Sequence, residues 1–302
     1  MKVLLTGHAG FLGQHIGRSL SAEGIEWIGL DRTPSASANN QVICDVRSLP
    51  AITGQLPDFE LIIHLASPVG VAETSANHAA TYKAIVEGAT AVTALALRTR
   101  AKLLYFSSSE VFGEAGGLID HSTPLAPLSG YGRGKQAAEK LIASLIDHAV
   151  VVRPFNVYGP GQRSGFLVPN IIRQLQCNGT IRLADGGLGV RQFTYVGDVV
   201  EAVRRIRYGW PSARRTVHVA GPESATIARI VDIACHIAGR SINTSTATAQ
   251  DLNRDPGAEI HNRTVVQDII GGWAPATTIA TGLRLTFAAV CHGWCGSMPT
   301  QQ

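Results

Sequence analysis

Three glycines, Gly7, Gly10 and Gly13, constrain this chain more than any other feature. Before them stands Lys2-Val-Leu-Leu-Thr6, a short apolar run of the kind buried on both faces of a parallel sheet. After them, residues 11–23 read as a helix, with Ile16 and Leu20 on one side and Gln14, Arg18 and Glu23 on the other. Glycines between a strand and a helix let the backbone turn tightly and approach a pyrophosphate, while the helix N-terminus supplies N–H groups and positive potential. The spacing is G-x-x-G-x-x-G rather than the G-x-G-x-x-G of standard dinucleotide folds, so the flanking elements carry the reading.

The same alternation continues. Apolar runs at 25–30, 42–44, 61–65, 102–106 and 149–152 read as strands, separated by helical stretches that include 79–98 and 132–146. This predicts an α/β fold with a Rossmann-type, doubly wound parallel sheet. The character changes after Pro154, where Gly159-Pro-Gly161, Pro169 and Asp185-Gly-Gly187 suit loops around a binding site. Helices are expected near 196–207 and 226–238, and irregular polar chain over 241–262. The division expected is a dinucleotide-binding domain over 1–158, with 191–219 returning to it, and a smaller C-terminal substrate domain built from 159–190 and 220–302.

Composition excludes several classes. The chain has 302 residues and a net charge of +4, but its basic residues are scattered. The densest group, Arg204, Arg205, Arg207, Arg214 and Arg215, has no interleaved aromatics, so it reads as a solvated face or as help for an anionic ligand, not as a nucleic-acid surface. Five cysteines form no disulfide framework, which suits a reducing compartment, the cytoplasm. Cys291-His-Gly-Trp-Cys295 resembles half a zinc site with no second half nearby, so no metal is expected. The N-terminus has no secretory character, and no stretch approaches the ~20 apolar residues of a membrane span.

The polar residues at strand ends suggest chemistry. Asp31 closes the second strand, where a carboxylate accepts hydrogen bonds from ribose hydroxyls and disfavours a 2′-phosphate; Arg32 beside it could welcome that phosphate, and NAD is the expected cofactor. Asp45 and Val46 are placed at the adenine. Tyr131 and Lys135 are four residues apart on a predicted helix face and can address one ligand. A neighbouring ammonium and an oxidised nicotinamide both favour phenolate, which would make Tyr131 a base. Ser108, just past a strand end, can bond the reacting oxygen, and Glu110 could serve as a second acid/base.

Together these residues resemble the nucleotide-sugar epimerase/dehydratase branch of the extended short-chain dehydrogenase/reductase family. The resemblance runs through nearly the whole chain, including His64-Leu-Ala-Ser67, Ser107-Ser-Ser-Glu-Val-Phe-Gly113, Arg153-Pro-Phe-Asn-Val-Tyr-Gly-Pro-Gly161 and Arg191-Gln-Phe-Thr-Tyr-Val-Gly-Asp198. It implies a tightly held NAD, contacted by Gly7, Gly10, Phe11, Leu12, Gly13, Asp31, Arg32, Asp45, Val46, Leu65, Ala66, Ser67, Tyr131, Lys135 and Pro154. It implies a nucleoside-diphosphate sugar as partner, held by Ser109, Asn156, Arg191 and, less securely matched, Arg254. Family members commonly dimerise through two helices per subunit, here 79–98 and 132–146, so a homodimer is expected.

The resemblance implies oxidation at a sugar C4 and leaves the fate of the 4-keto sugar open. Ser108-Ser109-Glu110 and His64-Leu-Ala-Ser-Pro68 resemble dehydratases and decarboxylases, whereas the short Pro124–Tyr131 approach resembles epimerases. The expectation is 4-epimerisation. The alternatives are a 4,6-dehydratase or glucuronate decarboxylase using Glu110, a 4-keto-sugar reductase, and, from another class, a non-catalytic dinucleotide-binding regulator.

Overall fold

The computed structural model describes residues 1–36, 38, 40–69, 74, 77–213, 215–247 and 263–291. Seven parallel strands form the central sheet: β1 (Lys2–Thr6), β2 (Glu26–Asp31), β3 (Gln41–Ile43), β4 (Leu61–His64), β5 (Lys102–Phe106), β6 (Val150–Pro154) and β7 (Arg215–Val219). Their order across the sheet is β7-β6-β5-β4-β1-β2-β3. The sheet thus winds outward in both directions from the β1/β4 pair, where the strand order reverses and ligands bind in such folds.

The strands are apolar throughout because helices cover both faces. One face packs under α2 (His78–Thr99) and α3 (Gly130–Leu145), with Ile85, Val92, Ala138 and Ile142 meeting Leu4, Ile62 and Leu103. The other face packs under α1 (Phe11–Ala22) and, later in the chain, the helix at Val196–Tyr208, where Ile16, Leu20, Val199 and Val203 meet Val3, Leu5 and Val152. Fully burying each such side chain is worth about 1.5–3 kcal/mol. Asn77 caps α2 by accepting from Ala80 N–H at 2.9 Å, and Ser129 caps α3 by accepting from Gly132 N–H at 2.9 Å.

A third apolar cluster lies apart from the sheet. It joins α4 (Leu167–Cys177), α5 (Val196–Tyr208, the helix already met on the sheet) through Tyr195 at its cap, α6 (Ile227–Ala238) and α7 (Ile279–Cys291). Two differences from the sequence reading stand out. Asn243–Ala247, expected to be irregular, is a strand parallel to Thr180–Ala184; alternating Thr and Ser residues on an exposed edge hide the period that apolar residues would show. Residues 263–265 likewise pair in parallel with 117–119, across a separation that no local pattern reveals. The basic group at 204–207 is neutralised rather than presented: Arg204 and Arg205 pair with Glu201, and Arg207 with Glu23.

Candidate active site

Because the strands are parallel, the carboxyl ends of β1, β2, β4, β5 and β6 reach one edge of the sheet, and the residues singled out above follow those ends. The glycine loop is packed against backbone. Gly7 has φ +75°, and a Cβ there would lie 2.7 Å from Ala66 N; at Gly13 it would lie 2.1 Å from Gly7 O. Gly10 precedes α1 without a capping side chain, so the helix begins on bare backbone. Leu65 N–H donates to Thr6 O at 3.1 Å and Ala66 N–H to Thr6 Oγ1 at 3.4 Å, which ties the segment after β4 to the loop. Ser67 turns its hydroxyl onto Pro68 O at 2.9 Å.

Asp31 is half-buried at the end of β2. Its Oδ2 accepts from Ala9 N–H at 3.1 Å, inside the glycine loop, and its Oδ1 accepts from Thr33 N–H at 3.2 Å. It therefore fixes the loop as well as closing the strand. Arg32 is exposed beside it. Phe11 meets the edge of His15 at 5.5 Å, His15 Nε2 bonds Pro160 O at 2.9 Å, and Leu12 joins the core under α1.

Asp45, expected at the adenine, is bonded to a neighbouring arginine. Arg47 Nε and Nη2 donate to its two oxygens at 2.9 and 2.8 Å, and Arg47 N–H adds a third bond at 2.9 Å. These bonds draw its carboxyl down to a pKa of about 2. Any amine that reaches Asp45 shares it with Arg47, a residue the motif did not flag. Val46 sits against α2 where Gly88 makes room: a Cβ on Gly88 would come 3.0 Å from Val46 Cγ1.

Tyr131 and Lys135 both lie in α3, which begins at Gly130, two residues earlier than the sequence pattern suggests. Tyr131 is half-buried, and the Ser108 side chain lies near enough to favour its phenolate. Lys135 is 3% exposed; its Nζ donates to Phe106 O at 2.8 Å and lies 5.6 Å from the Tyr131 ring centre. The electrostatics run opposite to the expectation of an ammonium-lowered tyrosine. Burial first, then the Glu110 charge, push the Tyr131 phenol above its ordinary value, while Ser108 pulls it back. Burial lowers Lys135 to about 7, against the opposing influence of Glu139. Burial thus shifts both groups toward their neutral forms, because an apolar surrounding penalises either charge.

Ser108 also caps the short turn at Ser109–Phe112 by accepting from Glu110 N–H at 3.2 Å, and Ser109 is buried within that turn. Glu110 Oε2 accepts from the Ser129 hydroxyl at 2.8 Å, so the carboxylate is tied to the cap of α3 beside Tyr131.

A cavity of about 610 Å³ opens beyond the end of β6, whose last residue is Pro154. Asn156 and Arg191 line it, with Tyr158, Phe166, Arg182 and Phe193. Asn156 takes a left-handed conformation (φ 38°) and donates from Nδ2 to Gln192 O at 3.0 Å, which locks the strand carrying Arg191. Tyr131 is not among the described residues that line this cavity. Arg182 escaped the sequence reading; it is one polar position in a short alternating strand, Thr180–Ala184, with Ile181 and Leu183 buried. Arg254 and the 292–302 segment with Cys295 lie outside the described residues. Among the described residues, His121, His218 and Asp268 bring potential ligand atoms within 4.8 Å. His121 Nε2 bonds Asp268 at 2.9 Å, the His218 backbone N–H donates to Asp268 Oδ2 at 2.6 Å, and Arg153 donates to His218 Nε2 at 3.4 Å, while His218 Nδ1 is buried without a hydrogen-bond partner.

With this geometry, a doubly wound sheet carrying a glycine loop and a Ser–Tyr–Lys set at its carboxyl edge defines a nucleotide-dependent α/β enzyme. The chain matches the model of the NAD dependent epimerase/dehydratase family over residues 3–207 and belongs to that family. The uncharacterized UDP-glucose epimerase YtcB of Bacillus subtilis (strain 168) is 28% identical over 262 residues, covering 80% of this chain and 83% of that one. UDP-glucuronic acid decarboxylase 1 of Danio rerio is 26% identical over 304 residues, covering 94% and 71%. Among solved structures, MoeE5 in complex with UDP-glucuronic acid and NAD shares the fold with a TM-score of 0.89 and 23% identity, covering 97% of this chain and 100% of that one. No helix among the described residues is long and apolar enough to cross a membrane.

Proposed function

We propose that this enzyme binds NAD at the sheet edge and isomerises a UDP-sugar at C4 through a transient 4-keto sugar. The observation that carries the reading is the buried Lys135, its Nζ held by Phe106 O at 2.8 Å and 5.6 Å from the Tyr131 ring centre, with Ser108 near enough to favour the phenolate. Gly7 and Gly13 leave the loop no room for side chains, and Asp31 fixes that loop; this cradle fits a dinucleotide pyrophosphate and ribose. NAD, when bound, supplies a reversible hydride acceptor for the sugar carbon and a positive charge that favours phenolate. Tyr131 takes the proton of the C4 hydroxyl as that C–H bond breaks to release hydride, and returns it when the carbonyl is reduced from the other face. Ser108 holds the reacting oxygen, and Lys135 orients the ribose and steadies the phenolate. Ser109 and Asn156 hold the sugar, and Arg191 holds the diphosphate with its guanidinium fork. Arg254 is retained as a second diphosphate contact on the resemblance alone.

The names of the relatives support UDP as the carrier, since an epimerase and decarboxylases of UDP-sugars share it. The Ser129 bond to Glu110 supports epimerisation, because it employs this carboxylate as an anchor for α3 rather than as a free acid. The decarboxylase reading rests on the same Glu110 lying close enough to raise the Tyr131 pKa. We assign the sugar-binding region to 159–190 and 220–302, the homodimer to α2 and α3, and the setting to the cytoplasm. Incubation with a panel of nucleotide sugars, read by mass and NMR, tests this. Unchanged mass with inverted C4 is the expected result. Loss of carbon dioxide or water, or a need for added NADPH, would replace it with one of the other fates.

A further inference from the structure

We infer that Glu139 is a positioning residue, holding Lys135 and Ser108 in register with Tyr131 through a buried clamp with Ser107 and Arg153. The inference rests on the Ser108–Tyr131–Lys135 chemistry proposed above. Tyr131, Lys135 and Glu139 follow one another at four-residue intervals, so they form one stripe along α3. Two consecutive residues at the end of β5 each take one member of that stripe, and Ser108 follows near Tyr131. Phe106 O accepts from Lys135 Nζ at 2.8 Å, and the Ser107 hydroxyl donates to Glu139 Oε1. The helix is therefore laid along the strand end by two adjacent bonds, one to Lys135 and the other to Glu139.

The bond to Glu139 is reinforced from the next strand. Arg153 on β6 grips Glu139 with both ends of its fork, Nε to Oε1 at 3.0 Å and Nη2 to Oε2 at 2.6 Å. Both side chains are 9% exposed. A guanidinium fork meets a carboxylate through two parallel N–H···O bonds, which fixes the orientation of both side chains. Arg153 is itself backed by His218 Nε2 at 3.4 Å and by the Phe112 ring at 5.2 Å. A buried ion pair is a poor stabiliser against apolar residues of the same volume. Its place here, in line with the catalytic stripe, gives it a second use. The Glu139 carboxylate lies one turn from a buried lysine and opposes the loss of its proton.

The charged and titratable groups facing Lys135 are Tyr131 and Glu139 on its own helix, Tyr105 on β5 and His64 on β4; Glu110 faces Tyr131, and Arg153 and His218 stand behind Glu139. The test compares wild type with Glu139→Gln and with Glu139→Gln/Arg153→Met, which leaves no unpaired charge buried. Thermal melting and NAD binding report whether each variant is folded. The paired variant is expected to fold and bind NAD, with kcat down by at least about tenfold and KM within about twofold. The Lys135 titration, followed by NMR of ε-13C-lysine and assigned with Lys135→Arg, should move down by about one pH unit. That titration needs no turnover, so it is readable whatever the substrate; a Tyr131→Phe enzyme with undiminished turnover would sink the catalytic reading separately. Wild-type kcat together with an unmoved Lys135 titration in the paired variant would overturn the inference. So would failure of that variant to fold, since the pair would then be a folding element.

Discussion

His64 shows at the scale of one residue how the site constrains stability. It is 2% exposed, bonded through Nδ1 to Thr6 Oγ1 at 2.7 Å, and set close enough to Lys135 to feel its charge. Burial, and then that charge, lower its pKa from 6.5 to about 3. The folded protein keeps the ring neutral where the unfolded chain would protonate it. Stability is therefore lost as pH falls from 6.5 toward 3, and His218, lowered to about 4 by burial, acts in the same direction. Urea midpoints at pH 6.5 and 4.5 check this: His64→Gln is expected to lose less stability than wild type over that interval, by up to about 2.7 kcal/mol. Equal losses in the two proteins would show that His64 does not carry the effect. Lys135 works on the alkaline side. With its folded value near 7, below its ordinary 10.5, it costs stability at low pH and relieves that cost as pH rises through this window.

Helix α3 explains at the next scale why Tyr131 is embedded in Gly130-Tyr-Gly-Arg-Gly134. Glycine in a helix is unfavourable by about 1 kcal/mol against alanine, so three in the first turns need a reason. A Cβ at Gly130 would fall 2.5 Å from His78 O, and one at Gly132 would fall 2.7 Å from Glu110 O, both fixed backbone atoms. At Gly134 the nearest atoms, Ile85 Cδ1 at 3.1 Å, Ile85 Cβ at 3.2 Å and Tyr82 Cα at 3.3 Å, stand farther off and need give only a few tenths of an ångström. Gly132→Ala is thus expected to destabilise the protein by about 1–3 kcal/mol and to depress turnover by moving Tyr131, whereas Gly134→Ala stays within about 1 kcal/mol of wild type. Thermal melts of the two variants check this, and equal effects would contradict it. Elements of this kind were legible in the sequence where periodicity was clean: β1, the glycine loop, α1, β4 and β5. The start of α3 was not, because its glycines hide the helical pattern that tertiary contact imposes. The strand at 243–247 was not, because its outward residues are threonine, serine and asparagine.

Across the whole molecule, the parallel sheet collects residues from positions 7 to 154 at one edge, and the 610 Å³ cavity adds Asn156, Arg182 and Arg191 beside it. The glycine loop, Asp31, Ser108, Tyr131 and Lys135 could be named from the sequence because strand ends and short motifs place them. Arg47, Glu139 and Arg182 could not, since their roles depend on partners as far along the chain as the 32 residues between Ser107 and Glu139, or on which side of a short strand faces the cavity. The division of labour between edge and cavity predicts separable defects. Arg191→Ala is expected to raise KM for the sugar nucleotide by about tenfold or more while NAD affinity stays within about twofold. Calorimetric titration with NAD and steady-state kinetics check it; a parallel loss of NAD binding would place Arg191 with the dinucleotide instead.

Tyr131→Phe removes one hydroxyl from the centre of this arrangement and leaves the ring, the helix and Lys135 in place. Turnover of the accepted sugar nucleotide, followed by NMR at C4 with NAD binding measured in parallel, is expected to fall by about 10²–10⁴-fold with the cofactor still bound. Wild-type turnover in that variant would contradict proton transfer through Tyr131.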